Sequence, residues 1–291
     1  MEHLLQLLVN GLALGSVYAL VALGFILISE ATGVVNFATG QFVMVGCFFG
    51  VTTVLKWDMP IWPGYGLALG LAAAFGAAFY GLVYRPLRDA PPVSVIIGTV
   101  AAGIVVQNLA LLAWGSLPLR PPPAFGAGQL RLAGATLTWQ SVFTIAVTLV
   151  LIAGTHVLLY RAPIGAKIRA VAQDREAARL MAIPVGAVLL GTWLLAAVLT
   201  GVAGLLLGPL WFADVSMGDP IALKAFAAAI IGGFGSVAGA LLGGLAVGLA
   251  EILGASYLTS TYKDALVFLL MVLFLLLRPQ GIFGERLSER G

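Results

Sequence analysis

The amino-acid sequence predicts an all-α fold: a polytopic integral membrane helix bundle of about eight or nine transmembrane segments, with broken or re-entrant helices. Composition predicts it first, because 61% of the 291 residues are hydrophobic and only 9% are charged, whereas soluble domains carry about 25% charged residues. The mean hydropathy of +1.07 agrees, and the charges are spaced so that long apolar runs remain. These observations exclude a soluble, disordered or disulfide-rich secreted protein.

The apolar runs are the predicted membrane segments. A helix needs about 20 apolar residues to cross the hydrocarbon core. Strand-like alternation is not visible, so helices rather than a barrel are expected. Seven runs are long enough, namely 4–29, 31–55, 59–84, 90–119, 132–160, 180–213 and 225–250, and 265–277 adds a shorter eighth. Residues 1–291 are expected to form a single transmembrane domain.

Positive charge predicts the orientation of these segments. Ten of the 15 Lys and Arg residues fall in the loop 161–187, the turn 85–92 and the tail after Leu277, which includes Arg286 and Arg290. Cytoplasmic loops retain Lys and Arg, so these three segments are assigned to the cytoplasm. The three prolines at 121–123 predict a stiff external loop in the connection 115–138.

The last third of the chain is expected to contain a broken helix pair. With the loop 161–187 inside, Asp214 and Asp219 are placed outside. Residues 222–254 must then enter the membrane and return, although they are few for two full spans. A short or broken pair that turns near the glycines at 232–235 is therefore predicted.

Four polar residues interrupt the apolar runs and are candidates for a translocation pathway: Asn36, Thr39, Gln41 and Glu251. Polar groups in lipid need partners or must face a cavity, and broken helices with polar tips commonly line transport pathways. For Asn36 and Thr39, the alternative is a helix cap that bonds its own backbone. For Glu251, an internal ion pair and a cavity-facing carboxylate are both open.

The loop 161–187 is the most distinctive cytoplasmic segment. Asp174 is expected to cap a short helix over 175–182, which ends before Pro184. Ala177, Leu180 and Met181 share one face of that helix, which would suit docking of a soluble partner. The alternative is a positively charged loop that only sets the orientation of the chain.

Seven motifs follow one another along essentially the whole chain. They are NGLALGSVYAL at 10–20, VNFATG at 35–40, YRPLR at 84–88, GAKIRAVAQD at 165–174 with 177–183, KAF at 224–226, GGFGS at 232–236, and YKD at 262–264 with RPQGIFG at 278–284. With these motifs in this order, the sequence resembles the permease subunits of branched-chain amino-acid ATP-binding-cassette (ABC) importers.

The resemblance implies a pore-forming subunit in a bacterial or archaeal inner membrane, surrounded by lipid. It implies a second permease subunit, expected to be a different chain, two ATP-binding subunits, and an extracytoplasmic amino-acid-binding protein. No cofactor is expected on this chain, because ATP would be bound by the partner subunits, and no nucleic acid is expected. The ATPase-coupling loop would include Gly165, Arg169, Ala170, Asp174, Ala177, Leu180, Met181 and Ile183.

The chain departs from the family pattern at three positions. Thr39 and Gln41 stand where members often have His and Glu, which would change the polarity of the pathway. Ala182 stands where Gly is usual. Related permeases for urea or short amides share much of the pattern, so they remain an alternative to branched-chain amino acids.

The sequence does not predict an enzyme, a metal site or catalytic residues. No lysine lies in a phosphate-binding Gly-x-x-x-x-Gly-Lys-Ser/Thr motif, so ATP hydrolysis is expected on other chains. His3 and His156 form no zinc or nucleophile pattern. A stand-alone secondary transporter coupled to an ion gradient is the main alternative, with Glu30, Glu251 and Asp264 as candidate coupling residues. A passive channel would leave the coupling-like loop unexplained.

Overall fold

The computed structural model describes residues 2–126, 128–132, 135–258, 262–278 and 280–283, and helices dominate it. Arg286 and Arg290 of the predicted cytoplasmic tail, with Pro279 and Gly284, lie outside the described residues. The helices are α1 (Glu2–Thr32), α2 (Thr39–Val51), α3 (Ile61–Phe79), α4 (Arg85–Leu87), α5 (Pro92–Trp114), α6 (Trp139–Tyr160), α7 (Pro163–Gln173), α8 (Arg175–Leu180), α9 (Val185–Leu207), α10 (Gly218–Gly232), α11 (Val237–Tyr257) and α12 (Lys263–Leu277).

Among the described residues, seven helices are long and apolar enough to cross a membrane, which confirms the predicted polytopic helical bundle. In two of them a π-helical turn extends the α-helix: Thr52–Lys56 continues α2, and Tyr80–Tyr84 joins α3 to α4. The apolar helices α10 and α12 have 15 residues each. At about 1.5 Å per residue each is roughly 22 Å long, shorter than the hydrocarbon core of about 30 Å.

Helix α1 is the centre of the bundle and is almost completely surrounded by protein. It packs along α11 because glycines remove the side chains from the contact. A Cβ atom on Gly15 would lie 2.8 Å from the carbonyl oxygen of Gly244, and one on Gly244 would lie 2.5 Å from the amide nitrogen of Ala19. Only small residues allow backbones to approach this closely. By contrast, most of the apolar surface of α5 is exposed on this chain.

The predicted turn near 232–235 is confirmed. Helix α10 ends at Gly232 and α11 begins at Val237, after Gly233 and Gly235, whose φ angles of 101° and 98° strongly favour glycine. The pair is unequal, however, because α11 is a full 21-residue span and only α10 is short. The segment after α12 returns to this turn, where the amide of Phe283 donates to the Gly232 carbonyl at 3.0 Å.

The connection 115–138 is more than the stiff loop that the sequence predicted. It contains an antiparallel hairpin of β1 (Gln129–Leu132) and β2 (Ala135–Thr138), with Gln129 opposite Thr138. The hairpin is tied to α1, because the Thr136 amide donates to the Gln6 side chain at 2.7 Å. Strands of four residues are too short for their alternation to stand out in the sequence.

Candidate functional site

Between α1 and α2 the chain turns back on itself and forms a polar tip, defined here as residues 36–41. The Asn36 Oδ1 atom accepts from the Ala38 amide at 3.1 Å, and the Thr39 hydroxyl donates to the Asn36 carbonyl at 2.7 Å. Asn36, Thr39 and Gln41 are all buried within the chain. Local backbone bonding, one of the two alternatives raised by the sequence, is therefore present. The Asn36 Nδ2 atom is buried without a hydrogen-bond partner among the described residues.

The polar tip lies deep in the bundle. The Gln41 Oε1 atom faces α5, 3.4 Å from the position of a Cβ atom on Gly103. Gly103 is 11 residues after Pro92, where α5 begins next to the basic turn, and 11 residues of helix rise by roughly 16 Å. The hydrocarbon core is about 30 Å thick. Gln41 therefore lies about half-way along the membrane-spanning helix α5.

The first turn of α10 meets the polar tip at this depth. A Cβ atom on Gly218 would lie 2.7 Å from the Gly40 carbonyl oxygen, so the two backbones are in direct contact. The Gln41 Nε2 atom donates to Asp219 Oδ1 at 2.8 Å. The predicted external position of Asp219 is therefore wrong. The segment after α9 re-enters the bundle, where the Gln107 Nε2 atom of α5 donates to the Val215 carbonyl at 3.0 Å.

A second polar cluster joins four helices. The Lys224 ammonium of α10 lies 2.6 Å from Glu251 Oε1 of α11 and 2.8 Å from Asp264 Oδ1 of α12. The Tyr18 hydroxyl of α1 donates to Glu251 Oε2 at 2.7 Å, and the Lys263 ammonium is 3.7 Å from Glu251 Oε1. Of the two alternatives for Glu251, the structure contains the internal ion pair. We call these five residues the charge cluster.

Burial distinguishes the charge cluster from an ordinary interfacial ion pair. The side chains of Lys224 and Glu251 are only 4% and 1% exposed, whereas that of Asp264 is half exposed. Lys224 is therefore not a solvated charge at the edge of a span, because α10 begins inside the bundle and its seventh residue, Lys224, meets Glu251 of α11. A buried charge is tolerated only when it is paired and hydrogen-bonded.

The loop 161–187 contains two helices, α7 and α8, where the sequence predicted one. The predicted cap is present, since Asp174 Oδ1 accepts from the amides of Glu176 and Ala177 at 2.8 and 3.0 Å. Helix α8 ends at Leu180 rather than at Ala182. Ala182 has a φ angle of 58°, the left-handed conformation that closes a helix and that usually favours glycine.

The residues of the predicted coupling loop divide into an inner and an outer group. Gly165 is buried against the end of α6, and the Arg169 guanidinium donates to the Leu159 carbonyl there and lies 5.5 Å over the Tyr160 ring. Ala170 and Ile183 are half-buried. The outer group is Ala177, Leu180 and Met181, and the last two are 89% and 77% exposed. The inner group anchors the loop and leaves the outer group accessible.

Arg175 connects this loop to α1. Its Nη2 atom lies 2.5 Å from the Thr32 carbonyl oxygen and 3.2 Å from that of Ala31. These carbonyls belong to the last turn of α1, where backbone acceptors have no partner within the helix. Because the polar tip begins only four residues after Thr32, the loop contacts the segment that leads to the tip.

Comparison with known proteins identifies the family to which this chain belongs. Residues 7–275 match the family described as "Branched-chain amino acid transport system / permease component". The chain belongs to this family. The permease protein BraD of the high-affinity branched-chain amino acid transport system of Pseudomonas aeruginosa is 33% identical over 301 residues, which cover 99% of this chain and 98% of BraD. LivH of Escherichia coli K12 is 32% identical, with the same coverage.

A more distant relative also aligns with this chain over nearly its full length. The probable branched-chain amino acid transport permease protein LivH of Methanocaldococcus jannaschii is 29% identical over 296 residues, 96% of this chain and 92% of that protein. The resemblance deduced from the seven motifs is thus confirmed over nearly the full length. The chain is a multi-pass membrane permease component of a transport system.

Three features of the site were missed by sequence reasoning. Helix α7 could have been predicted, because Pro163 suits a first helical turn and Ile168 and Val171 recur at helical spacing. The sequence pattern around Asp219 is weaker: a carboxylate lies next to a glycine and a proline, before an apolar run. No sequence pattern predicts the contact of Arg175 with α1, since 143 residues separate Arg175 from Thr32.

Proposed function

We propose that this protein is the membrane-spanning permease subunit of an ABC importer. It translocates branched-chain amino acids, that is leucine, isoleucine, valine or close relatives, across the cytoplasmic membrane of a bacterium or archaeon. Support comes from its family membership and from relatives whose names specify branched-chain amino acids. Residues 1–291 act as one permease domain. ATP is bound and hydrolysed by partner subunits, and this chain binds no cofactor of its own.

The complete importer contains this chain, a second permease subunit of different sequence, two ATP-binding subunits and an extracytoplasmic amino-acid-binding protein. The exposed apolar faces of α5 and α12 support contacts with lipid and with the second permease, because residues such as Leu112 and Leu276 are largely exposed there. Nucleic acid is not a partner.

The outer group of the coupling loop is the docking point for an ATP-binding subunit. The observation that carries this proposal is the exposure of Leu180 and Met181 at the end of a capped helix. Two large apolar side chains held at a cytoplasmic tip are suited to a hydrophobic groove on a soluble partner. The Asp174 cap and the anchored Arg169 make the loop stiff enough to transmit a movement of that partner.

The polar tip lines the translocation pathway in this proposal. Asn36, Thr39 and Gln41 are buried, Gln41 lies about half-way along α5, and the Asn36 Nδ2 and Gln41 Oε1 atoms have no hydrogen-bond partners among the described residues. Such atoms would be satisfied by water or cargo when the pathway opens. A direct contact of Glu251 with the pathway stays a prediction, since its carboxylate is engaged in the charge cluster.

The experiment that tests the docking role replaces both outer residues by acids, Leu180→Glu and Met181→Glu. We expect the permease to remain folded in the membrane, while co-purification of the ATP-binding subunits and leucine uptake both fall at least tenfold. The control is Leu117→Glu, the same type of change at a single residue that is 78% exposed and lies in the connection 115–138, outside the coupling loop. Uptake by the double variant at the rate of the control would refute the docking role.

A further inference from the structure

Asp219 is a carboxylate for which the fold provides an incomplete set of partners. Its Oδ1 atom accepts one hydrogen bond, from Gln41 Nε2 at 2.8 Å. Within the part of the chain that the structure describes, its Oδ2 atom has no hydrogen-bond partner, and no Lys or Arg forms an ion pair with it. The other acidic residues of α10–α12, by contrast, are paired with lysines in the charge cluster.

The depth of Asp219 makes this lack of a cation unusual. It hydrogen-bonds to the polar tip, which lies roughly 16 Å along α5 from its cytoplasmic end. An ionisable side chain at this depth normally pairs with another charge or faces a water-filled cavity on a transport route. Asp219 is exposed on the surface of this chain, so its carboxylate is accessible to a cation from outside the chain.

The apolar residues next to Asp219 are suited to the side chain of an aliphatic amino acid. Leu223, one helical turn later on the same side of α10, is 48% exposed, and Phe226 follows on the next turn, with its ring 5.8 Å from that of Phe37. The Gln41 side chain that donates to Asp219 is itself buried, with its Oε1 atom against Gly103 of α5. The exposed Asp219 carboxylate therefore lies beside an apolar strip.

We propose that Asp219 and Gln41 form a transient binding site for the α-ammonium group of an amino acid that crosses the membrane. The Asp219 carboxylate supplies the charge, the Gln41 amide holds that carboxylate in place, and Leu223 contacts the aliphatic side chain of the cargo. This inference rests on the proposed function. It adds a site within the permease that recognises the charged backbone of the cargo, whichever branched side chain the binding protein delivers.

The first test uses the complete importer in proteoliposomes with its binding protein, and measures [14C]leucine uptake and ATP hydrolysis. We expect Asp219→Asn to lower uptake at least tenfold while the complex still assembles, and Asp219→Glu to retain at least a third of the wild-type rate. Asp214→Asn is the matched control. Asp214 lies five residues before Asp219, outside the site, and its Oδ1 atom accepts a hydrogen bond from the Ser216 amide. Uptake by this control should stay within twofold of wild type.

The second test asks whether charge, rather than shape, is needed at this position. Cys47 is the only cysteine of the chain, so Cys47→Ala provides a thiol-free reference into which Asp219→Cys and, as control, Asp214→Cys are introduced. Thiol modification of Asp219→Cys with an anionic ethylsulfonate reagent should raise uptake at least fivefold. A cationic ethyltrimethylammonium reagent of similar size should not raise it.

Three results would overturn the proposal: uptake by Asp219→Asn within twofold of wild type, equal effects of the anionic and cationic reagents, or failure of both Asp219→Asn and Asp219→Glu to assemble. The last would assign Asp219 to folding or to pairing with the second permease. The proposed function fails separately, if the wild-type complex neither takes up leucine nor hydrolyses ATP in response to the loaded binding protein.

Discussion

Removing the ammonium group of Lys224 should destabilise this protein more than removing the charge of Glu251, although the two form one ion pair. Lys224 is in contact with two carboxylates, Glu251 at 2.6 Å and Asp264 at 2.8 Å. In Glu251→Gln, Lys224 keeps Asp264, and the introduced side-chain amide can still bond the Tyr18 hydroxyl. In Lys224→Met, Glu251 stays buried, with only the Tyr18 hydroxyl and the Lys263 ammonium at 3.7 Å.

The magnitudes follow from these remaining partners. Breaking a buried pair and leaving a charge behind costs about 3–5 kcal/mol, which is the expected loss of unfolding free energy in Lys224→Met. Loss of a hydrogen bond to a charged group costs roughly 1.5–3 kcal/mol, the range expected for Glu251→Gln. In the double variant the carboxylate at position 251 is absent and cannot be left without its lysine, so the combined loss of unfolding free energy should be about 1–3 kcal/mol smaller than the sum of the two single losses.

The assay is reversible unfolding by SDS in mixed micelles, with the four proteins of the double-mutant cycle compared at one detergent concentration. Lys167→Met is the control, because this lysine is exposed and forms no ion pair among the described residues, and exposed charges contribute at most about 1 kcal/mol. If the two single changes add to within about 0.5 kcal/mol, the residues are independent, and the charge cluster does not hold α10 against α11 and α12.

Two further predictions concern other contacts of α1. Arg175→Ala should leave the ATP-binding subunits bound but raise the ATP hydrolysed per leucine transported, because the carbonyls at the end of α1 lose their link to the loop; Arg179→Ala, on the same short helix, should not. Gly244→Ala should lower the unfolding free energy, since its Cβ would lie 2.5 Å from the Ala19 amide nitrogen, whereas Gly70→Ala, with nothing within 4 Å, should not. SDS titration that ranks these two glycine variants equally would contradict the close packing of α1 and α11.

Several elements could be predicted because their causes are local. The apolar runs specify membrane helices wherever they occur, since backbone groups in lipid must be bonded within the helix. The Asp174 cap and the turn at 233–236 likewise depend on a few neighbouring residues, an oxygen that bonds two amides and glycines with positive φ. Such features are predictable at the correct positions, although α8 ends two residues early.

The errors involve residues whose environment comes from distant parts of the chain. Asp219 was placed outside because it follows the exit of α9, yet the segment after α9 re-enters the bundle and meets Gln41, 178 residues away in sequence. The burial of Lys224 likewise depends on Glu251 and Asp264 of two later helices. No local pattern contains this information.

The sequence by itself determined that the protein is a helical membrane protein, because composition and charge spacing act through local hydration and backbone bonding, whatever the final packing. Its ordered motifs indicated a permease through their resemblance to a known family. Only the tertiary structure decided which polar groups share a site. Close glycine contacts between α1 and α11 and between α2 and α10 fix how far these helices are shifted along one another. This relative position brings Gln41 to Asp219, and Lys224 to its two carboxylates.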